Sequence, residues 1–437
     1  MNHESDSLII GGGIAGLSLA YFLDKQSGIT STILERDEVV GGLCRSYSLN
    51  GIPYDVGPHI IFSKHQEVLD LHTKLIETNR IRRSNQIFFK GRYVKYPFEN
   101  DLSKLDEEDR DYCVKEFVQN PYESYKPASM QQFFLSTFGE GITRLYLQPY
   151  NEKIWKYDPA YMDTQMVERI PKPPKEDVIR SAQGAQTEGY LHQLYFHYPK
   201  TGGFQTLVDR YASLVRERNN IKTGIQVEAI RKVSGQWVVS TNQGEFRSKR
   251  LFNCIPLHEF FKLIDAPPEV RQSLDKLLYN SIHIVMVQAK KDAIGDHFAL
   301  YLPEKDIIFH RLSKLNFLGS QYCLPGGGST LMAEITFRPG SYVGSLPQKE
   351  IEQRVLDGLG KLGFVEPHDV TAVETRTFKY AYVIYDIDHR RNTDHVLGYL
   401  ESQQIISCGR FAEFEYLNSD QVVHRAMMVA KRAAKID

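Results

Sequence analysis

Cysteine is scarce: the chain of 437 residues has five, at Cys44, Cys113, Cys254, Cys323 and Cys408, with no CxxC spacing and no Cys/His cluster. A disulfide framework and a structural zinc are therefore excluded as organising principles. No metal site is expected, and scattered thiols fit a reducing compartment. Long apolar runs are missing as well. The nearest candidate for a membrane span of about 18 residues, Leu8 to Leu23, is broken by four glycines. It follows Glu4 and Asp6, where a signal peptide would carry basic residues, and no small-residue cleavage site comes after it, so a cytoplasmic location is expected. Charge of one sign is absent too. Fifty-three basic residues against 54 acidic leave a formal charge of -1, without the one-sided basic surface that nucleic acid binding demands.

What is present is 42% apolar and 11% aromatic residues, enough for a sizeable interior. At roughly 150 residues per domain the length suggests about three lobes. The first forty residues form one pattern: Ser7 to Ile10 as a strand, Gly11-Gly-Gly-Ile-Ala-Gly16 as a tight turn, Leu17 to Leu23 as an amphipathic helix, and Ser31 to Leu34 as a second strand ending at Glu35. This is the βαβ dinucleotide fingerprint, with a pyrophosphate expected at the helix N-terminus beside Gly11, Gly13, Ile14, Ala15 and Gly16. Glu35, 19 residues past Gly16, is placed for a ribose hydroxyl, with Arg36 beside it. A second glycine pair follows in Gly41-Gly42-Leu43, and Gly57 lies further on. Such a pair lies under FAD in flavoproteins and is missing from NAD dehydrogenases, so FAD is the expected cofactor.

Beyond residue 100 the character changes twice. Helical spacing runs to about Tyr190, with Ser129 and Gln132 as a capping box, Gly139 as a helix end and Pro149 as a stop. Strand-like segments then run from about Gly235 to Thr377. The expected architecture is α/β: a discontinuous Rossmann-like FAD-binding domain (1–100, 200–234, 396–437), a helical substrate domain (101–199) and an antiparallel β-sheet domain (235–395).

Tyr54-Asp-Val-Gly-Pro-His59 with Ile60-Ile-Phe62, Tyr96-Pro-Phe98, Pro149-Tyr-Asn-Glu-Lys-Ile-Trp155, Tyr198-Pro199 with Gly202-Gly203, and Gly409-Arg410-Phe411 together resemble the UDP-galactopyranose mutase family, in its larger, eukaryotic-type branch. That family sits within the amine oxidase and protoporphyrinogen oxidase-like flavoproteins. The resemblance implies interconversion of UDP-galactopyranose and UDP-galactofuranose for cell-surface glycans without net redox change. Reduced flavin N5 attacks the anomeric carbon and expels UDP, and NADPH or NADH serves as reductant. It further implies His59, Arg311 and Arg410 as catalytic residues. Phe62, Tyr96, Phe98, Glu99, Asn151, Trp155, Arg169, Tyr301, Tyr382 and Tyr416 would contact substrate, and Val227, Gly409 and Arg410 would join the glycine segments and His59 around FAD. Guanidinium groups suit a departing pyrophosphate because they donate in pairs.

Four features depart from the family pattern. Pro58 replaces the usual glycine before the histidine, Glu99 replaces a glutamine facing uracil, and Phe317 and the short segment after Tyr416 also differ. A carboxylate at 99 accepts but does not donate, which would suit cytosine or guanine better than uracil. Two other readings stay open: a redox flavoenzyme of the amine oxidase or protoporphyrinogen oxidase type, and a non-catalytic FAD- and nucleotide-binding protein. A homo-oligomer is also open.

Overall fold

Leu8, Ile9, Ile10, Ile33 and Leu34 are all buried, as strands covered on both faces require. In the computed structural model, which describes residues 2–167, 170–185 and 194–433, strand Asn2–Ile10 lies between Ser31–Leu34 and Gly244–Asn253 and runs parallel to both. Asn220–Lys222 extends the sheet past Ser31–Leu34, Ile405–Ser407 pairs in parallel with Gly244–Asn253, and Gln236–Thr241 and Val227–Val233 add an antiparallel ribbon. Successive side chains divide between the faces. Ile9, Ile33 and Phe252 pack with helices Ile14–Ser27, Gln205–Arg216 and Ser419–Ala433, whereas Leu8, Ile10, Leu34 and Leu251 turn to the opposite core. Helix Ile14–Ser27 is longer than expected. It is buried around most of its circumference instead of on one stripe, because two other helices flank it.

The second sheet runs Val370–Val383, Tyr279–Ala289, Ser329–Phe337, Arg311–Lys314, Ala299–Tyr301, Asn85–Phe89 and Arg92–Lys95, antiparallel except where Ala299–Tyr301 meets Asn85–Phe89. Helix Gln348–Lys361 closes one face through Ile351, Val355 and Leu359. The other face presents Ile282, Ile284, Met286 and Met332 to the central core.

Two expected boundaries move. Gln236–Thr241 and Gly244–Asn253, expected in the antiparallel β-sheet domain from 235, belong to the first sheet. Asn85–Phe89 and Arg92–Lys95, expected in the first domain, form the edge of the second sheet. Both are hairpins, and a hairpin's local pattern does not name the strand on its far side.

Helices Glu107–Val118, Met130–Ile142, Gln148–Trp155 and Lys175–Ala182 lie in the expected helical region. Ser129 accepts from the Gln132 amide at 3.3 Å, and the Gln132 side chain reaches back to the Ala128 amide. Gly139 breaks its helix at φ +72°. Pro149 stops nothing: helical backbone runs from Thr143–Leu147 into Gln148–Trp155, with Pro149 in the first turn of the latter.

Asp55, at the end of hairpin strand Ile52–Asp55, accepts from Ser46 Oγ (2.6 Å), Tyr198 OH (2.7 Å) and the Phe204 amide (3.0 Å). It thereby ties strand Tyr195–Pro199 and the start of helix Gln205–Arg216 to the hairpin. Burial still pushes its carboxyl up to about 6 from 3.8. Asp55→Ala, which strands three donors, should lower stability by at least about 1–3 kcal/mol in urea unfolding. Since the folded value lies above the unfolded one, the proton-linked stability is complete below about pH 4 and is lost as pH rises through about 6. Asp55→Asn should flatten that slope.

Candidate active site

The turn after strand Asn2–Ile10 is lined by backbone. Gly13 caps helix Ile14–Ser27 without any side-chain bond, so the first-turn amides stay open for an anion. Gly16 has no room for another residue: a Cβ there would lie 2.1 Å from the Gly11 carbonyl oxygen. Gly41 donates to the Gly12 carbonyl at 2.8 Å, bringing the second glycine pair and Leu43 against the first turn. Glu35 accepts from the amides of Gly12 (2.7 Å) and Asp37 (2.9 Å), which orients its carboxylate and leaves it lone pairs for a ribose. Gly409 abuts Ala15, and Val227 begins its strand beside Ile225, whose amide donates to the Glu35 carbonyl. Arg36 extends into solvent against Asp37, so only its backbone adjoins this cradle. A dinucleotide pyrophosphate fits here: open amides, glycine in place of side chains, and an acid at the next strand end.

A second cluster lies where Gly57 crosses the second sheet. Arg311 and Glu334 face each other in register on adjacent antiparallel strands, with Arg311 Nε and Nη2 on the two carboxylate oxygens at 2.5 and 2.6 Å. Glu334 is fully buried. Burial by itself would lower the Arg311 pKa, but the Glu334 carboxylate outweighs it and keeps the guanidinium charged. His59 is pushed down to about 4 by burial and then by Arg410 and Arg311, so it is neutral at physiological pH, and its buried Nδ1 has no protein partner. Arg410 lies 4.2 Å from the Tyr416 ring centre and 5.6 Å from that of Tyr382, with Nε and Nη2 buried and unpartnered.

Aromatic rings wall this cluster. Tyr382 and Tyr416 stack at 5.9 Å, with the Trp155 edge toward both. His310 links Tyr382 to Tyr150, and Tyr301 lies between Tyr150 (5.5 Å) and Tyr96 (5.0 Å). Asn85 donates to the Tyr301 hydroxyl.

Several expected contacts are repositioned. Phe98 is fully buried, stacked on Tyr146 and edge-on to Phe89, so it packs behind the ring wall. Asn151 spends its side chain on the Trp155 indole N–H (2.8 Å) and the Leu147 carbonyl (2.7 Å), which makes it a brace for Trp155. Glu99 does not turn into solvent: it is 6% exposed on the turn Phe98–Asn100, and burial pushes its carboxyl up to about 7. The Phe62 ring lies against Arg83, whose Cζ is 5.5 Å from its centre. Arg169 lies outside the described residues.

Two charged residues escaped the sequence reading. Glu334 sits within the wholly buried strand Ser329–Phe337, where a lone carboxylate among apolar residues was itself the signal for a cationic partner. Arg83, in Arg80-Ile-Arg-Arg83, resembles a solvated charge run, yet its Nε and Nη2 are buried without a partner near Tyr96, Tyr301 and Arg311.

The two-sheet architecture with a glycine cradle defines a flavoprotein of the amine oxidase class. The family model described as flavin containing amine oxidoreductase matches residues 14–395, and the chain belongs to that family. Membership implies FAD, which the cradle accommodates. A crystal structure of reduced UDP-galactopyranose mutase shares the fold with a TM-score of 0.89 at 24% identity, covering 99% of this chain and 96% of that one. Cyclohexylamine oxidase from Brevibacterium oxydans aligns at 0.69 and 17% identity over 99% of each chain. A CLA-producing fatty acid isomerase from P. acnes aligns at 0.67 and 16% over 98% of each. An uncharacterised protein from the nifH2 3′ region of Methanothermococcus thermolithotrophicus is 44% identical over 54 residues, 12% of this chain and 51% of its own length. The match thus spans about half of that relative.

The purified protein should show a flavin absorbance spectrum, with FAD recovered on extraction. Gly16→Ala, whose added carbon meets fixed backbone, should purify without flavin. Wild-type protein that is colourless and takes up no added FAD would refute the cradle assignment.

Proposed function

We propose that this protein is a flavin-dependent nucleotide-sugar mutase that interconverts pyranose and furanose forms of a UDP-linked hexose, UDP-galactose or a close analogue. The observation that carries this reading is the charge of the cluster. Among the described residues, three guanidinium groups, Arg83, Arg311 and Arg410, stand in the cluster against the Glu334 carboxylate that pairs with Arg311, which leaves a positive surplus. A diphosphate neutralises it. An ammonium substrate, as an amine oxidase takes, would be repelled.

Reduced FAD, when bound, would supply the nucleophile for the anomeric carbon, with NADPH or NADH as its source of electrons. The protein's share is electrostatic and positional. Arg410, lying over Tyr416 and Tyr382 with an unused pair of N–H groups, can take up charge on the departing phosphate. The Tyr301, Tyr382 and Tyr416 hydroxyls are neutral donors that grip phosphate without adding charge, so the nucleotide is held yet can be released. Burial raises Tyr382 further above the usual phenol range and keeps it protonated. Trp155, braced by Asn151, fixes the tilt of both rings. Neutral His59 leaves the reacting face free of a fourth positive charge.

Protein reduced with dithionite and supplied with UDP-galactopyranose should form the furanose isomer, resolved by chromatography, without consuming reductant per turnover, and oxidised protein should not. Arg410→Ala should cost about 2–4 kcal/mol in kcat/KM. Arg311→Ala is a less clean variant, because it strands the Glu334 charge and would itself cost about 3–5 kcal/mol of stability.

Glu99 adds a pH dependence. Below about pH 7 its carboxyl is neutral and can donate; above, it is an anion near an anionic ligand. Affinity for UDP should fall as pH rises through about 7, and Glu99→Gln should abolish that fall. If instead CDP or GDP binds tighter than UDP and Glu99→Gln restores UDP, the base is not uracil.

A further inference from the structure

We infer that Tyr385 is a positioning residue: its hydroxyl, aimed by Glu415 and Arg390, holds Tyr416 in place against Tyr382 and Trp155. What Tyr416 holds in turn rests on the nucleotide-sugar reading above. The Tyr416 ring stacks on Tyr382 and carries Arg410. Stacked rings are tolerated over centroid separations of about 4.5–7 Å, so the stack alone fixes neither tilt nor offset. The backbone supplies a second point of attachment. The Tyr416 amide donates to the Tyr385 hydroxyl at 2.7 Å, and Tyr382 and Tyr385 lie on, and just beyond, the end of strand Val370–Val383. One short segment thus grips Tyr416 by its ring and by its main chain.

A hydroxyl accepts from an amide only if its own proton points elsewhere. Glu415 supplies that direction: the Tyr385 hydroxyl donates to Glu415 Oε2 at 2.5 Å, while Arg390, on helix His389–Ser402, pairs with Oε1. Burial, and then the Glu415 charge, raises the Tyr385 pKa, so the proton stays on the phenol. Arg390 balances the Glu415 carboxylate, so the clasp adds no uncompensated anion beside the cleft. The Glu415 amide also donates to the Arg410 carbonyl at 2.8 Å, closing the turn that carries both Arg410 and Tyr416. That turn is held in a conformation it would not take alone. Phe414, fully buried, has φ +53°, where a bulky residue is found only if its surroundings impose it, and its carbonyl accepts from His389 Nε2 at 2.9 Å. Losing the Tyr385 bond would let the strain relax, and Tyr416 is next but one in the chain. The helical region reaches the same clasp, through the Asp163 amide on the Tyr385 carbonyl (2.8 Å) and Gln165 on Arg390.

Trp155, 6% exposed and edge-on to Tyr416, reports that ring's position without any ligand. The chain's other tryptophan is Trp237, so Trp237→Phe isolates the signal. In FAD-loaded protein of that background, Tyr385→Phe should raise acrylamide quenching of Trp155 about twofold by local loosening, and should raise it no further when Tyr416→Ala is already present. Calorimetric UDP affinity should fall about fivefold in Tyr385→Phe, the loss of one hydrogen bond, and by less than about twofold on top of Tyr416→Ala. Glu415→Gln, which keeps the shape but replaces an acceptor oxygen by a donor, should move both readouts in the same directions. Unchanged quenching in Tyr385→Phe would overturn the assignment, as would an equal change with and without Tyr416, which would mark Tyr385 as a general prop. If Tyr385→Phe does not fold, Glu415→Gln decides, and wild-type quenching in it would overturn the assignment. Raised quenching with unchanged UDP affinity would support the positioning and remove Tyr416 from the phosphate contacts. Raised quenching in a protein whose parent binds no UDP would support the positioning and refute the nucleotide reading.

Discussion

The Arg311–Glu334 pair is the constraint around which the site is arranged. Burying two charges is expensive, and the attraction between them offsets that cost only if the geometry is held. Here the holding is done by strand register: Arg311 opposes Glu334, and on its other side opposes Tyr301. A one-residue slip between the Arg311 and Glu334 strands would turn one partner to the face covered by helix Gln348–Lys361 and leave the other charge alone in the core. The pair therefore fixes the second sheet as much as the sheet fixes the pair.

Its influence crosses to the first domain at Gly57. The chain passes there with φ +77°, and a Cβ would stand 3.2 Å from a Glu334 oxygen and 3.6 Å from Arg311 Nη2. Glycine is required both for the conformation and for the approach. Two residues later comes His59, held neutral by burial and by the Arg410 and Arg311 charges. The same short segment thus joins the βαβ unit to the second sheet and delivers the histidine. Pro58 between them removes an N–H and fixes one dihedral, so the segment has less freedom to rearrange than a glycine there would allow.

The βαβ unit was legible because its signals are local: fully apolar strand runs, a glycine turn, and an acid at the second strand end all occur within forty residues. The allocation of hairpins to sheets was not: Gln236–Asn253 reads as strands without naming its far neighbour, and Asn85–Lys95 lay inside a range assigned whole to the first domain. Side-chain direction was the second limit. Phe98 and Asn151 lie in the motifs that point to the site, yet one turns into the core behind Tyr146 and the other braces Trp155. Glu334 and Arg83 were missed for opposite reasons. The first was hidden in a strand read only for its apolar pattern, and the second in a basic run that reads as solvated.

The fold alone does not choose between chemistries, because solved structures with it include amine oxidases, an isomerase and a mutase. The choice falls to the electrostatics of the residues around the cleft. An amine substrate enters as a cation unless it first loses a proton, and a cleft with surplus guanidinium charge would raise that cost. The rings of the wall, tyrosines and Trp155 with the neutral histidines, are themselves uncharged and do not compensate. Aromatic faces alone would welcome a cation, but here Tyr382 and Tyr416 already carry Arg410. With the aromatic faces occupied and the forks of two arginines open, the site is prepared for oxygen anions, and it is this pairing of occupied rings with open forks that separates it from an amine site on the same scaffold.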